Sequence, residues 1–272
     1  SPDETSSVND VLAYYESVWN YKESKAFLKN NRCAGNKKVR AARKELLDNY
    51  NIYYADNKDY LTDTDYTDET VEVSNIALLS NPIECGAKKP VVWYQLTKLM
   101  EQADTQVKIH TPYIICNEYM YDGLKKVCDS VENVSLMTNS VGNNGNPFGS
   151  ADYYAHKDKV LGTGLEVWEY EGGYSYHGKS VLIDDDISVV GSFNIDMRSV
   201  YLDTELMLVI RSSEINKQLE EGMMTYEKMS RQVLEDGTYN NPYHVEPIAL
   251  TKKKQIKIFL VQHLLGWVRF LF

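Results

Sequence analysis

Positive charge is what this 272-residue sequence has too little of: 29 lysines and arginines stand against 39 aspartates and glutamates, a formal net charge of −10. A chain that works along a nucleic-acid backbone ordinarily shows the reverse balance, so no nucleic acid is expected as a partner. Only a local basic site on an acidic body would restore that class. Cysteine is sparse too. Cys33, Cys85, Cys116 and Cys128 are scattered without a metal-ligand spacing, so no metal centre or disulfide framework is expected, and all four read as reduced thiols. No signal-peptide pattern stands at the N-terminus, and the chain opens Ser-Pro rather than Met; a true start lying upstream is expected. What is present is ordinary: 43% hydrophobic and 25% charged residues, enough apolar material for a real core in one large domain or two small ones.

Residues 7–20 predict a short amphipathic helix, with Leu12, Tyr15, Val18 and Trp19 at spacings of three and four. A second helix is predicted over 37–50, and the acidic stretch 56–72, rich in Asp, Thr and Tyr, reads as a surface loop. From about residue 75 the texture changes. Strands are predicted at 75–79, 106–110, 133–138, 165–169, 178–183, 187–191 and 204–210, with helices at 91–103, 117–131, 150–162 and 213–233. Asn117 and Ser212-Ser213 are natural caps for two of these helices. Alternation of this kind indicates an α/β class, a mixed β-sheet flanked by helices. A helical N-terminal segment precedes it and an amphipathic C-terminal helix follows.

That last segment, QIKIFLVQHLLGWVRFLF, follows Lys252-Lys253-Lys254. As one helix it would be roughly 27 Å long, close to a bilayer core. Gln255, Gln262, Gly266 and Arg269 share one narrow face, while Leu260, Leu264, Trp267, Phe270 and Leu271 cover most of the rest. The pattern favours a helix lying in a membrane interface, its lysines drawn to anionic lipid. A helix packed on the protein's own body and a true span are the alternatives.

The segment that carries chemistry is His177-Gly178-Lys179, then Asp184, then Gly191-Ser192-Phe193-Asn194. A His-x-Lys pair alone means nothing. Here the residues occur in fixed order within two predicted strands joined by the Asp184-Asp185-Asp186 turn. Residues two apart in a strand share a face, so His177 and Lys179 project together, as do Ser192 and Asn194. Lys179 offers fixed charge to a phosphate, and the imidazole of His177 can attack phosphorus or donate a proton to a leaving oxygen. Ser192 and Asn194 can hold non-bridging oxygens as charge builds. Glu205, at the start of the next apolar strand, is the candidate carboxylate to orient His177. Asp184 and Gly191 read as structural members of the motif. Arg198-Ser199 either helps hold a headgroup or closes the site. The stretch Asn143 to Pro147 reads as a plain turn, with a loop near the site mouth as the alternative.

In these residues the sequence resembles the phospholipase D superfamily, and more narrowly bacterial cardiolipin synthases. Residues 177–210 are similar to their second catalytic motif, including the run Asn194, Asp196, Arg198, Ser199. The segments 109–118 and 136–144 resemble their Pro-Tyr turn and Thr-Asn-Ser strand end. Similarity extends over residues 75–212, which would be one catalytic half. Residues 213–250 would then be a C-terminal helix and loop, and 251–272 the interface helix. Residues 1–25 resemble the tail of a first catalytic half, joined by a linker over 26–74. In that family two such motifs face each other, yet no second His-x-Lys-x4-Asp occurs here. The resemblance implies a first half in cis that is absent from this sequence, or a second subunit. It implies a phosphatidyltransferase acting through phosphohistidine, with His177 as general acid and base; a nuclease or phosphodiesterase of the superfamily completed by dimerisation, and a catalytically incomplete membrane-binding fragment, are the alternatives. Lys179, Ser192 and Asn194 would bind substrate phosphate, with no metal or other cofactor. Phospholipid substrates, phosphatidylglycerol among them, and an anionic membrane surface are the implied partners. The implied place is the cytoplasmic membrane of a bacterium, with the chain peripheral on the inner face or anchored by an absent N-terminal segment.

Overall fold

The structure is a computed structural model and describes residues 2–25, 35–58, 70–264 and 266–271. The chain divides into two compact units, one of residues 18–72 and one of residues 1–17 with 73–272. In the smaller unit, helix α2 (Lys37–Asp56) is capped by Asn36, whose side chain accepts from the Lys38 amide, and buries no residue. Residues 59–69, most of the predicted acidic loop, fall outside the described residues.

The larger unit is built on a nine-stranded mixed sheet. Its strands are β1 (Asn75–Ser80), β2 (Gln106–His110), β4 (Asn133–Asn139), β5 (Glu166–Tyr170), β6 (Ser180–Ile183), β7 (Ile187–Gly191), β9 (Leu206–Arg211), β10 (Ser230–Val233) and β11 (Tyr239–Asn240). They lie in the order β1-β9-β7-β6-β2-β4-β5-β10-β11. Only β2–β4 and β4–β5 are parallel. Their crossovers run through α4 (Glu118–Ser130) and α5 (Pro147–Leu161). A two-stranded parallel sheet joins β3 (Ile114–Ile115) to β8 (Ile195–Asp196). Polar caps start the helices as their sequences require: Asn117 accepts from Met120 N, and Asn146, just before Pro147, accepts from Phe148 N.

Strand parity divides the core in two. On one face Trp93, Leu96 and Met100 of α3 (Val91–Met100) and Leu124 and Val127 of α4 bury against Val107, Ile109, Leu136 and Val181. On the other, Met137, Tyr170 and Tyr176 pack against Tyr226 of α7 (Ser213–Glu227). Burial of each such side chain contributes about 1.5–3 kcal/mol.

Three expectations need correction. The helix predicted over 213–233 ends at Glu227, and Ser230–Val233 pairs antiparallel with β5 instead. The open edge of β5 supplies partners there that helical periodicity does not foresee. His177 and Lys179 precede β6, which begins at Ser180. The tail is not one helix. It comprises α8 (Lys252–Leu264) and a short 3-10 helix (Gly266–Leu271). Gln262 and Arg269 of its polar stripe face the body, while Gln255 is exposed: Gln262 Nε2 donates to Ala151 O at 3.0 Å. Arg269 pairs with Asp152 and donates to Cys116 O at 2.5 Å. Ile258 is buried, whereas Ile256, Phe259, Leu260, Trp267 and Phe270 are exposed. The polar residues are satisfied on the protein, so the apolar ones are turned outward. Among the described residues, no helix is long and apolar enough to cross a membrane.

Candidate active site

One edge of the sheet collects the chemistry. The C-terminal ends of β2 and β4, at His110 and Asn139, lie beside the start of β6 and the end of β7, because His110 registers with Ser180 and Ser180 with Val190. Gly191, ending β7, registers with Met207 of β9. A side chain at Gly191 would meet Leu206 O at 2.2 Å, so only glycine lets these strands close beneath the site. Ligands of open α/β sheets characteristically bind outside the carboxyl ends of such strands.

His177 and Lys179 are brought together. Lys179 Nζ lies 2.8 Å from His177 Nδ1 and 3.4 Å from Nε2, and donates to His177 O at 2.7 Å. With the ammonium donating to Nδ1, the ring proton sits on Nε2. Burial, then the charge of Lys179, holds His177 below the ordinary imidazole range. Burial also lowers the Lys179 pKa, against the opposing pull of Glu205 and Asp196. The Tyr113 ring stands edge-on to His177, centroids 5.8 Å apart.

A second cluster adjoins the first. Glu205 accepts from Ser192 Oγ, and from Ser199 Oγ at 2.9 Å. Asn194 Nδ2 donates to Ser199 Oγ at 3.1 Å, while Asn194 Oδ1 is buried without a partner. Contrary to the expectation from the sequence, Glu205 does not bond His177; its oxygens are taken by two serines. The cause is local. Asp196 caps the short helix α6 (Met197–Tyr201) by accepting from Ser199 N at 2.7 Å, which sets the Ser199 hydroxyl beside Glu205. Asp184 stands apart from both clusters. At φ 49° its carboxylate accepts from the amides of Asp104, Thr105 and Gln106 and from the Thr105 hydroxyl, stapling the β6–β7 turn to β2. Arg198 is held by Asp203.

Several positioning residues escape the motif. Buried Asn139 donates to Pro112 O at 3.1 Å and Tyr176 O at 2.9 Å and accepts from Tyr176 N at 2.8 Å, fixing the backbone just before His177. Asn81 accepts from Val92 N and donates to Ser199 O at 2.7 Å, and its amide donates to Glu205 O. Asn139 ends a strand and Asn81 directly follows one, a signal of backbone clamping rather than of chemistry. Asn143 belongs to the same wiring, donating to Tyr174 O at 2.9 Å. His110 is buried, with Nε2 3.0 Å from Glu227, and takes no part in the site.

Residues 96–225 match a family described as "Cardiolipin synthase, PLD-like domain". The likeness is to the phospholipase D superfamily, on its cardiolipin synthase-like branch, and covers a little under half of the chain. Cardiolipin synthase 1 of Staphylococcus aureus is 28% identical over 177 residues, 63% of this chain and 35% of its own length. The major cardiolipin synthase of Bacillus subtilis is 31% identical over 125 residues, 45% of this chain and 25% of its own. The matched stretch thus spans a quarter to about a third of these relatives. The crystal structure of phosphatidylserine synthase from Haemophilus influenzae shares the fold, with a TM-score of 0.51 at 16% identity, covering 72% of this chain and 48% of that one. The phospholipase D-like region takes in His177, Lys179, Ser192, Asn194 and Glu205, all within the matched residues.

Proposed function

We propose that the chain supplies one catalytic half of a phosphatidyltransferase of cardiolipin synthase type, working on phospholipid phosphodiesters through a phosphohistidine intermediate. The observation that carries this reading is the pairing of His177 with Lys179 beside the Ser192–Glu205–Ser199–Asn194 cluster at one sheet edge. His177 is the only histidine followed two residues on by lysine. The nucleophilic histidine is accordingly assigned to a second motif, in cis or on another subunit. In the first step that imidazole forms an N–P bond as the P–O bond to the departing alcohol breaks, and the alcohol oxygen takes a proton from Nε2 of the His177 imidazolium, which is left neutral. In the second, the hydroxyl of the acceptor, phosphatidylglycerol in this reading, returns a proton to His177 and attacks phosphorus, breaking the N–P bond.

Lys179 and Asn194 receive the phosphate oxygens, joined by Ser192 once its hydroxyl turns from Glu205 to the substrate. The unpartnered Asn194 Oδ1 is an acceptor, suited to a substrate hydroxyl rather than to phosphate. Glu205 acts through the serines it holds. The depressed pKa of His177 favours a base that is neutral near pH 7, and a bound phosphate anion would raise it toward a competent acid. The outward apolar side chains of the tail, close to its lysines, support attachment to an anionic membrane surface.

In the enzyme with both motifs, His177→Ala is expected to lower phosphatidyl transfer by roughly 10²–10⁴-fold or more with the circular dichroism spectrum unchanged. Retained turnover would overturn the role of His177. Faster cleavage of DNA than of phosphatidylglycerol would overturn the substrate class.

A further inference from the structure

Lysines open α8 at the end where a helix least tolerates them. Lys252, Lys253 and Lys254 occupy its first turn, beside the positive end of the helix dipole. Lys253 and Lys257, four residues apart, add like-charge repulsion on one face. Lys254 has a structural use, since Nζ donates to Gly142 O at 2.7 Å and Asn144 O at 2.6 Å. Lys253 and Lys257 have none of that kind. Both are exposed, and among the described residues neither makes an ion pair. Together with Lys254, Thr251, Asn144, Gly145 and Pro147 they line an open hollow of about 300 Å³, large enough for a small ligand. An anion seated there would offset both the dipole penalty and the repulsion.

The hollow lies next to the catalytic edge. Asn146, inside its lining loop, hydrogen-bonds the hydroxyl of Tyr113, whose ring stands against His177. On the same helix Ile256, Phe259 and Leu260 are 59%, 57% and 45% exposed. We propose that this hollow binds the phosphodiester of an anionic phospholipid, at a site separate from His177 and Lys179. Acyl chains would lie along the outward face of α8, so that the bilayer meets the protein at the edge of the active site. The inference rests on the membrane attachment proposed above and adds the place and the ligand.

The test is sedimentation of the full chain with phosphatidylglycerol-containing vesicles and with phosphatidylcholine vesicles. The variants are Lys253→Gln with Lys257→Gln, a control pair of equal charge change (Lys217→Gln with Lys228→Gln), and Phe259→Ser with Leu260→Ser. The first pair should weaken binding to the anionic vesicles about 30-fold, on the order of fivefold per lysine near such a surface, and the control pair less than twofold. Equal losses in both lysine pairs would overturn the site in favour of diffuse charge. Wild-type binding by the first pair, with loss in the serine variant, would overturn the headgroup site while leaving membrane attachment intact. No binding of the unaltered chain to anionic vesicles would overturn both. Inorganic phosphate provides a further arm. NMR shifts at Lys253 and Lys257 on adding it, with vesicle binding unaffected by the lysine substitutions, would assign the hollow to free phosphate and overturn the lipid.

Discussion

Asp184→Asn separates structure from chemistry within the motif. In the unaltered protein one carboxylate oxygen accepts from Thr105 N at 2.8 Å, Thr105 Oγ at 2.8 Å and Gln106 N at 3.1 Å, and the other from Asp104 N at 2.9 Å. An asparagine can keep the first three by presenting its carbonyl there. Its amide then faces the Asp104 N–H, donor against donor, and the negative charge is gone. A hydrogen bond to a charged group nets about 1.5–3 kcal/mol when sheltered; these are exposed to water, so the loss is expected at about 1–2 kcal/mol. For a chain of this size that is a fall in Tm of roughly 2–6 °C. Urea unfolding at pH 7 measures it. The pH dependence gives an independent check. Burial works against the carboxylate, but its hydrogen bonds to Asp104, Thr105 and Gln106 prevail and hold its pKa below the usual value. Its stabilisation is therefore present above the unfolded pKa of about 3.9 and lost as pH falls through the lower folded value. The asparagine variant should lack that part of the acid sensitivity. Below its melting range it should also retain most of the transfer activity of the complete enzyme. Unchanged stability with activity abolished would refute the reasoning and return Asp184 to the chemistry.

Two further perturbations address the site itself. Asn139→Ala strands the Tyr176 amide and carbonyl and Pro112 O; a destabilisation of about 3 kcal/mol, with kcat falling more than KM rises, is expected from urea titration and steady-state kinetics. Lys179→Gln removes the second cause of the depressed His177 pKa and leaves burial in place. The imidazole should then titrate at higher pH than in the unaltered chain, still short of the ordinary value, as followed by NMR of the ring protons; an unmoved titration would show that Lys179 does not act on it.

Much of the fold was legible because its signals are local. The strand at 106–110 coincides with Gln106–His110, and Asn117 and Ser212 cap the helices that follow them. What the sequence hides is decided by partners far away in the chain. Ser230–Val233 continues a helical stripe of Met and Tyr, and only the waiting edge of β5 makes it a strand. The tail shows the same limit more sharply. Its polar stripe is plain at 255, 262 and 269, but periodicity cannot say which way the stripe faces; Asp152 and the carbonyls of Cys116 and Ala151 turn Gln262 and Arg269 inward. In the site, spacing brings His177 to Lys179, whereas Glu205 departs from its expected partner because the cap of α6 delivers a serine to it first.

The register of β1 has a bearing on how the chain is made. Asn75 pairs with Arg211 and Ser80 with Leu206, and β9 stands between β1 and β7. During synthesis β1 leaves the ribosome well ahead of β9, its one strand neighbour among the described residues. Until then its amide edge stays open to any other strand. Closing so long a loop is also slow. The same strand sets Met207 opposite Gly191 and brings Glu205 to Ser192, so the candidate site is completed only when β9 has docked. A nascent chain stalled before β9 would already hold His177, Ser192, Ser199 and Glu205, but with no strand to fix the glutamate between the two serines.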